Sequence, residues 1–130
     1  MFRSILLFSI IILLTACSKN DPPAPTTKTV RYVCNCTPLL GATLTGTITY
    51  TTPTSATNTA SFTNNSWTFT QSGWNLKSGD RLTASASILG NSNCTLSLYV
   101  DDVLKTFRNE VIQISGQNPT NSLQVEYLVP

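Results

Sequence analysis

Strict two-residue alternation is the feature that most restricts the fold of this chain. In Leu44-Thr45-Gly46-Thr47-Ile48-Thr49-Tyr50-Thr51, Leu44, Ile48 and Tyr50 fall on one parity and four threonines on the other. An extended strand sends successive side chains to opposite faces, so such a run has one buried and one solvated side. The same pattern recurs along the chain. Val30, Tyr32, Cys34 and Cys36 share a face, as do Trp67 and Phe69, and Leu82, Ala84, Ala86 and Ile88. Cys94, Leu96, Leu98 and Val100 follow, and Leu123, Val125, Tyr127 and Val129 close the series.

Turn residues separate these runs. Pro53 ends one because it has no N–H for a ladder. Asn64-Asn65 is expected to turn a hairpin between a strand at about 57–63 and the Trp67 strand, since asparagine tolerates left-handed backbone. Ser78-Gly79-Asp80, Gly90-Asn91-Ser92-Asn93 and Asp101-Asp102 are further turns, and Gly116-Gln117-Asn118-Pro119 is a break. Val103 to Phe107 returns from the Asp101-Asp102 tip, and Val111 to Ser115 is read as a separate short strand. A helical turn within 102–109 is the competing assignment there. The count is about eight or nine strands with no convincing helix, which predicts an all-β antiparallel sandwich. A closed barrel is the alternative.

The first residues have a different character. Arg3 precedes an apolar run from Ile5 to Leu14, and Leu14-Thr15-Ala16 leads into Cys17. The run is shorter than the ~20 residues of a membrane-spanning helix and has the size of a signal-peptide core. Small side chains before a cysteine are the layout of a bacterial lipoprotein signal. Residues 1–16 are therefore expected to be removed as a signal peptide and Cys17 to carry lipid. Asn20 to Lys28 (NDPPAPTTK) is rich in proline and favours extended geometry, so 17–28 is expected to be a lipidated tether. The folded domain is then 29–130. Its expected location is the bacterial cell envelope, anchored by lipid. Ser18 after the cysteine points to the outer membrane, on its periplasmic or surface face.

Composition narrows the function. Charged residues are 11% of the chain, far below the ~25% of ordinary domains. Hydroxyl and amide side chains fill the polar positions. The scattered cations Lys28, Arg31, Lys77, Arg81, Lys105 and Arg108 form no footprint for nucleic acid. Histidine is absent, which removes the usual general base near neutral pH and the commonest metal ligand. No catalytic residue, metal site or cofactor is assigned.

Three cysteines remain in the domain. In an oxidising compartment one of Cys34 and Cys36 is expected to bridge to Cys94 across the core. Which of the two does so is open at this stage. A Cys34–Cys36 bridge is disfavoured because an extended i, i+2 pair splays apart. Trp74, beside Gly73, is the candidate for surface stacking on a glycan or polymer. Asp101 and Asp102 are read as a solvated tip able to contact a partner.

Taken in order, Tyr32-Val33-Cys34, Ile48-Thr49-Tyr50-Thr51, Trp67, Gly79 with Leu82-Thr83-Ala84-Ser85-Ala86, and Leu98-Tyr99-Val100-Asp101-Asp102 resemble the small β-sandwich of MmpS-type accessory proteins. The resemblance covers about residues 29–104. It departs at Cys17, where lipid stands in for a spanning helix, and at Asp102, where the hairpin motif usually has glycine. It implies an immunoglobulin-like sandwich and a non-enzymatic accessory role beside a membrane transporter. A glycan- or polymer-binding surface domain and a structural envelope component are the alternatives.

Overall fold

The computed structural model describes residues 26–39, 41, 43–113 and 121–130. The signal segment, Cys17, most of the tether and the 116–119 break lie outside them. Eight strands are present among the described residues: β1 (Lys28–Pro38), β2 (Thr45–Thr51), β3 (Thr57–Phe62), β4 (Ser66–Trp74), β5 (Arg81–Leu89), β6 (Ser92–Val100), β7 (Val103–Ile112) and β8 (Asn121–Leu128). They form two antiparallel four-stranded sheets, ordered β4-β1-β6-β7 and β3-β2-β5-β8. The described residues contain no helix, and 102–109 belongs to a turn and a strand. Of the strand expected at 111–115, Val111 and Ile112 are the end of β7, and 114–115 lie outside the described residues.

The alternating faces are those read from the sequence. Val30, Tyr32, Cys34 and Cys36 are buried, as are Leu82, Ala84, Ala86 and Ile88. Cys94, Leu96, Leu98, Leu123 and Val125 complete most of the layer between the sheets. Burying side chains of this size stabilises a fold by roughly 1.5–3 kcal/mol each before entropy is counted. Gly46 stands at an inward position of β2 because the Phe62 ring covers it: a Cβ there would lie 2.5 Å from the ring.

One connection differs from expectation. β3 and β4 do not form a hairpin. β3 pairs with β2 in one sheet and β4 with β1 in the other. Residues 63–65 cross between the sheets, and the Asn65 carbonyl accepts the Cys36 N–H at 2.7 Å. The inward face of β4 is aromatic, and its place in the sheet opposite β2 lets it meet Tyr50. Tyr50 packs against Phe69 (4.6 Å between centroids) and Trp67 (5.1 Å), and Tyr32 against Tyr50 (5.7 Å). Tilted pairs at these distances each add about 0.5–1.5 kcal/mol beyond their buried area.

The disulfide joins Cys36 to Cys94. It lies within one sheet: the two residues are directly opposite on β1 and β6, with Cα atoms 4.1 Å apart. The expected bridge across the core is thus a bridge along one wall of it, because β1 and β6 are neighbours. Cys34 stays free and buried, its sulfur 4.0 Å from that of Cys36. The bond spans 58 positions of sequence. Replacing Cys36 and Cys94 together by alanine is expected to cost about 4 kcal/mol in denaturant unfolding, and Cys34→Ala about 1 kcal/mol.

Candidate functional site

The outer faces of the two sheets differ in chemistry. On β2, β3 and β5 the outward positions include Thr45, Thr47, Thr49, Thr59, Ser61, Ser85 and Ser87, a low hydroxyl surface with the Arg81–Glu126 ion pair at one end. On the other sheet the register aligns Arg31, Tyr99 and Leu104 in one row, and Val33, Ser97 and Phe107 in the next. Asn35, Thr95 and Asn109 make a polar third row, and Val111 stands in a fourth beside Asn93 and Thr37. Phe107 is 59% exposed and Val111 58%, and Leu104 is also exposed. Ser97, between Val33 and Phe107, is nevertheless buried. The outcome is an apolar strip on a face that its own domain does not cover.

β7 carries most of that strip. A bulge at Lys105 sets its phase, since Leu98 pairs with Thr106 while Tyr99 pairs with Leu104. Bulges of this kind insert one residue and redirect the side chains beyond it. Leu104 and Phe107 therefore both lie on the outer face. The Arg31 guanidinium stacks on Tyr99, 4.2 Å from the ring centroid, and closes one end of the strip.

Asp101 and Asp102 turn the β6–β7 hairpin, with φ of 51° and 61°. Both central residues have left-handed backbone, as a type I′ turn requires. The tip is not a free pair of acids. Asp101 Oδ1 accepts the Thr29 N–H at 2.9 Å, its Oδ2 lies 2.7 Å from Lys28 Nζ, and its own N–H donates to the Thr29 carbonyl at 2.8 Å. Asp102 Oδ1 accepts from Arg31 Nη2 at 3.1 Å. The hydrogen bond from Lys28, followed by that from the Thr29 N–H, holds the Asp101 carboxyl below its ordinary range. Asp101 thus locks the hairpin to the start of β1, and Asp102 keeps the more open carboxylate. Beside the tip, Lys28, Leu76, Val103, Lys105 and Tyr127 line an open cleft of about 380 Å³.

Trp74 is not at the surface. It is 2% exposed and belongs to the core. The cause is a second bulge. Three residues of β1 (28–30) face four of β4 (71–74), and Gly73 takes φ of 85°. The extra residue reverses the parity that Trp67 and Phe69 establish and turns Trp74 inward. Trp67 is only partly buried, but it packs against the core with Phe69. No indole is left for a stacking platform of the kind expected at Trp74. A Gly in a strand interior is the signal that marks such a bulge.

Desolvation raises the Cys34 thiol to about 11, so it stays protonated at neutral pH. Among the described residues no group of three or more His, Cys, Asp or Glu comes together to hold a metal ion. Compared with known proteins, the chain matches no family model and no curated protein. The chemistry displayed is that of contact: an apolar strip, a stacked arginine and a fixed hairpin.

Two outcomes test this geometry. Nothing lies near a Cβ placed at Gly73, so Gly73→Ala is crowded by no neighbour and strained only in its backbone. A loss of about 1–2 kcal/mol is expected, with tryptophan emission moving to the red as Trp74 loosens. The Asp101 clamp has an acid dependence of known sign. A carboxyl whose folded pKa is lowered contributes above its unfolded pKa and loses that contribution as pH falls through the folded value. Thermal melts between about pH 6 and about pH 2 should therefore show a smaller acid-induced drop for Asp101→Asn than for the parent.

Proposed function

We propose that this protein is a non-enzymatic, lipid-anchored binding or accessory module of the bacterial envelope. Cys17 is its attachment point and the outer face of the β4-β1-β6-β7 sheet its contact surface. The observation that carries this reading is the uncovered Leu104 and Phe107, in adjacent rows beside Tyr99 and Val33. Exposed apolar residues scattered singly need no explanation, whereas a contiguous set on one face marks an interaction site. The partner class is an integral membrane protein, with a transporter as the member implied by the resemblance to immunoglobulin-like MmpS-type domains.

The mechanism is presentation. Acyl chains on Cys17 would confine the domain to the bilayer surface and raise its local concentration around a membrane partner. Each buried methylene of an anchor contributes about 0.8 kcal/mol, so more than one chain makes release slow. The short tether limits the domain to a few nanometres from the membrane at about 3.1 Å per residue. The neutral hydroxyl face opposite would stay solvated and resist non-specific adhesion. Burial of Trp74 removes the stacking residue on which the glycan alternative relied.

The test uses the full chain in intact envelopes, with a photoreactive residue in place of Leu104. Capture of one integral membrane protein is expected, from a species of this chain whose mass corresponds to loss of 1–16 and acylation of Cys17. Adding Phe107→Lys should reduce that capture about tenfold. Capture of no membrane protein, or of an uncut and unacylated chain, would overturn the proposal.

A further inference from the structure

β7 is the last strand of its sheet, and among the described residues no strand pairs with its other side. Edge strands expose a row of unsatisfied N–H and C=O groups and are normally blunted by short length, bulges, Pro or charged side chains, inward-pointing ones included. β7 is ten residues long, and its bulge lies at Lys105, near the hairpin end. From Thr106 to Ile112 it is regular. Its charges in this stretch are one of each sign, Arg108 and Glu110. Such an edge does not repel a copy of itself.

Its sequence is self-complementary in one register. Aligned antiparallel to a second β7 and centred on Asn109, Phe107 stands opposite Val111 of the second copy, and Arg108 opposite Glu110. The two-fold axis repeats both pairs. Parity is respected: Phe107, Asn109 and Val111 share the outer face, and Arg108 and Glu110 share the other. Directly opposed apolar and opposite-charge pairs are the units that stabilise antiparallel strands. Within one chain Arg108 Nε already donates to Glu110 Oε1 at 2.7 Å, so both side chains are extended beside each other along the strand. An isologous dimer requires this kind of self-match.

We infer that β7 pairs with β7 of a second copy of this chain, centred on Asn109, to give a continuous eight-stranded sheet. The dimer brings the two outer faces side by side, with Phe107 of each copy set against Val111 of the other on either side of the axis. The proposal stands on β7 alone. It and the membrane-partner reading fail separately, since one concerns the edge of the sheet and the other its face.

The experiment is oxidative cross-linking of the full chain in envelopes, using single added cysteines. Asn109→Cys should link to itself in a second copy, because the axis brings position 109 of each chain together. Thr68→Cys on β4 and Thr59→Cys on β3, at two of the other three sheet edges, should not. In the Asn109→Cys background, Arg108→Glu or Glu110→Arg alone is expected to weaken dimerisation about tenfold, since each places like charges opposite one another. The double reversal should restore it, as should co-expression of the two single reversals, which complement each other across the axis. Retention of the Cys36–Cys94 bond reports that each variant has folded. Failure of 109 to cross-link in folded protein, equal linking at 59 or 68, or no rescue by the double reversal would each overturn the proposal.

Discussion

The pairing of β1 with β6 organises everything else in the domain. Nine residue pairs join them, from Val30 with Val100 to Pro38 with Ser92. The register is pinned at both ends by different chemistry. Near one end Cys36 and Cys94 are covalently joined. At the other, Asp101 accepts from Thr29 and lies against Lys28. A one-residue slip would move every side chain of β1 to the wrong face, and both pins oppose it. With β1 held, β4 adds on one side and β6 carries β7 on the other.

The strand faces were legible in the amino acids because a half-buried strand must alternate. Turn positions were legible for the same local reasons: Gly79 and the Asp101-Asp102 pair adopt the left-handed backbone that their turns require. Partners were less so. Alternation tells which side of β3 and β4 is apolar but not which strand each will pair with. The aromatic contacts of Tyr50 with Trp67 and Phe69 come from placing them in opposite sheets. The cysteines illustrate the same boundary. Oxidation and parity restrict the bond to Cys94 with Cys34 or Cys36, and the β1–β6 register selects Cys36.

Trp74 shows how a single residue can invert such a reading. A glycine before Trp74 fits a strand end or a loop equally well. It is instead the extra residue in a paired strand, and its left-handed backbone rotates the following indole into the core. The exposed apolar residues of β7 were hidden for a related reason. Leu104, Phe107 and Val111 do not form a simple alternating set, because the bulge at Lys105 shifts the phase partway along β7. Once the bulge is known, Leu104, Phe107 and Val111 fall on one face of β7, with Asn109 among them.

The antiparallel arrangement of β1 and β6 also governs how the domain bears mechanical load. Tension entering through the segment before Lys28 acts along β1, parallel to its neighbours. The ladder is then loaded in shear, with many hydrogen bonds strained together rather than peeled one at a time. Beyond Cys36 the force passes through a covalent bond to Cys94, so the intervening strands are shielded from stretching. The span between the two cysteines is thereby left out of the path of a force applied through the two ends of the domain.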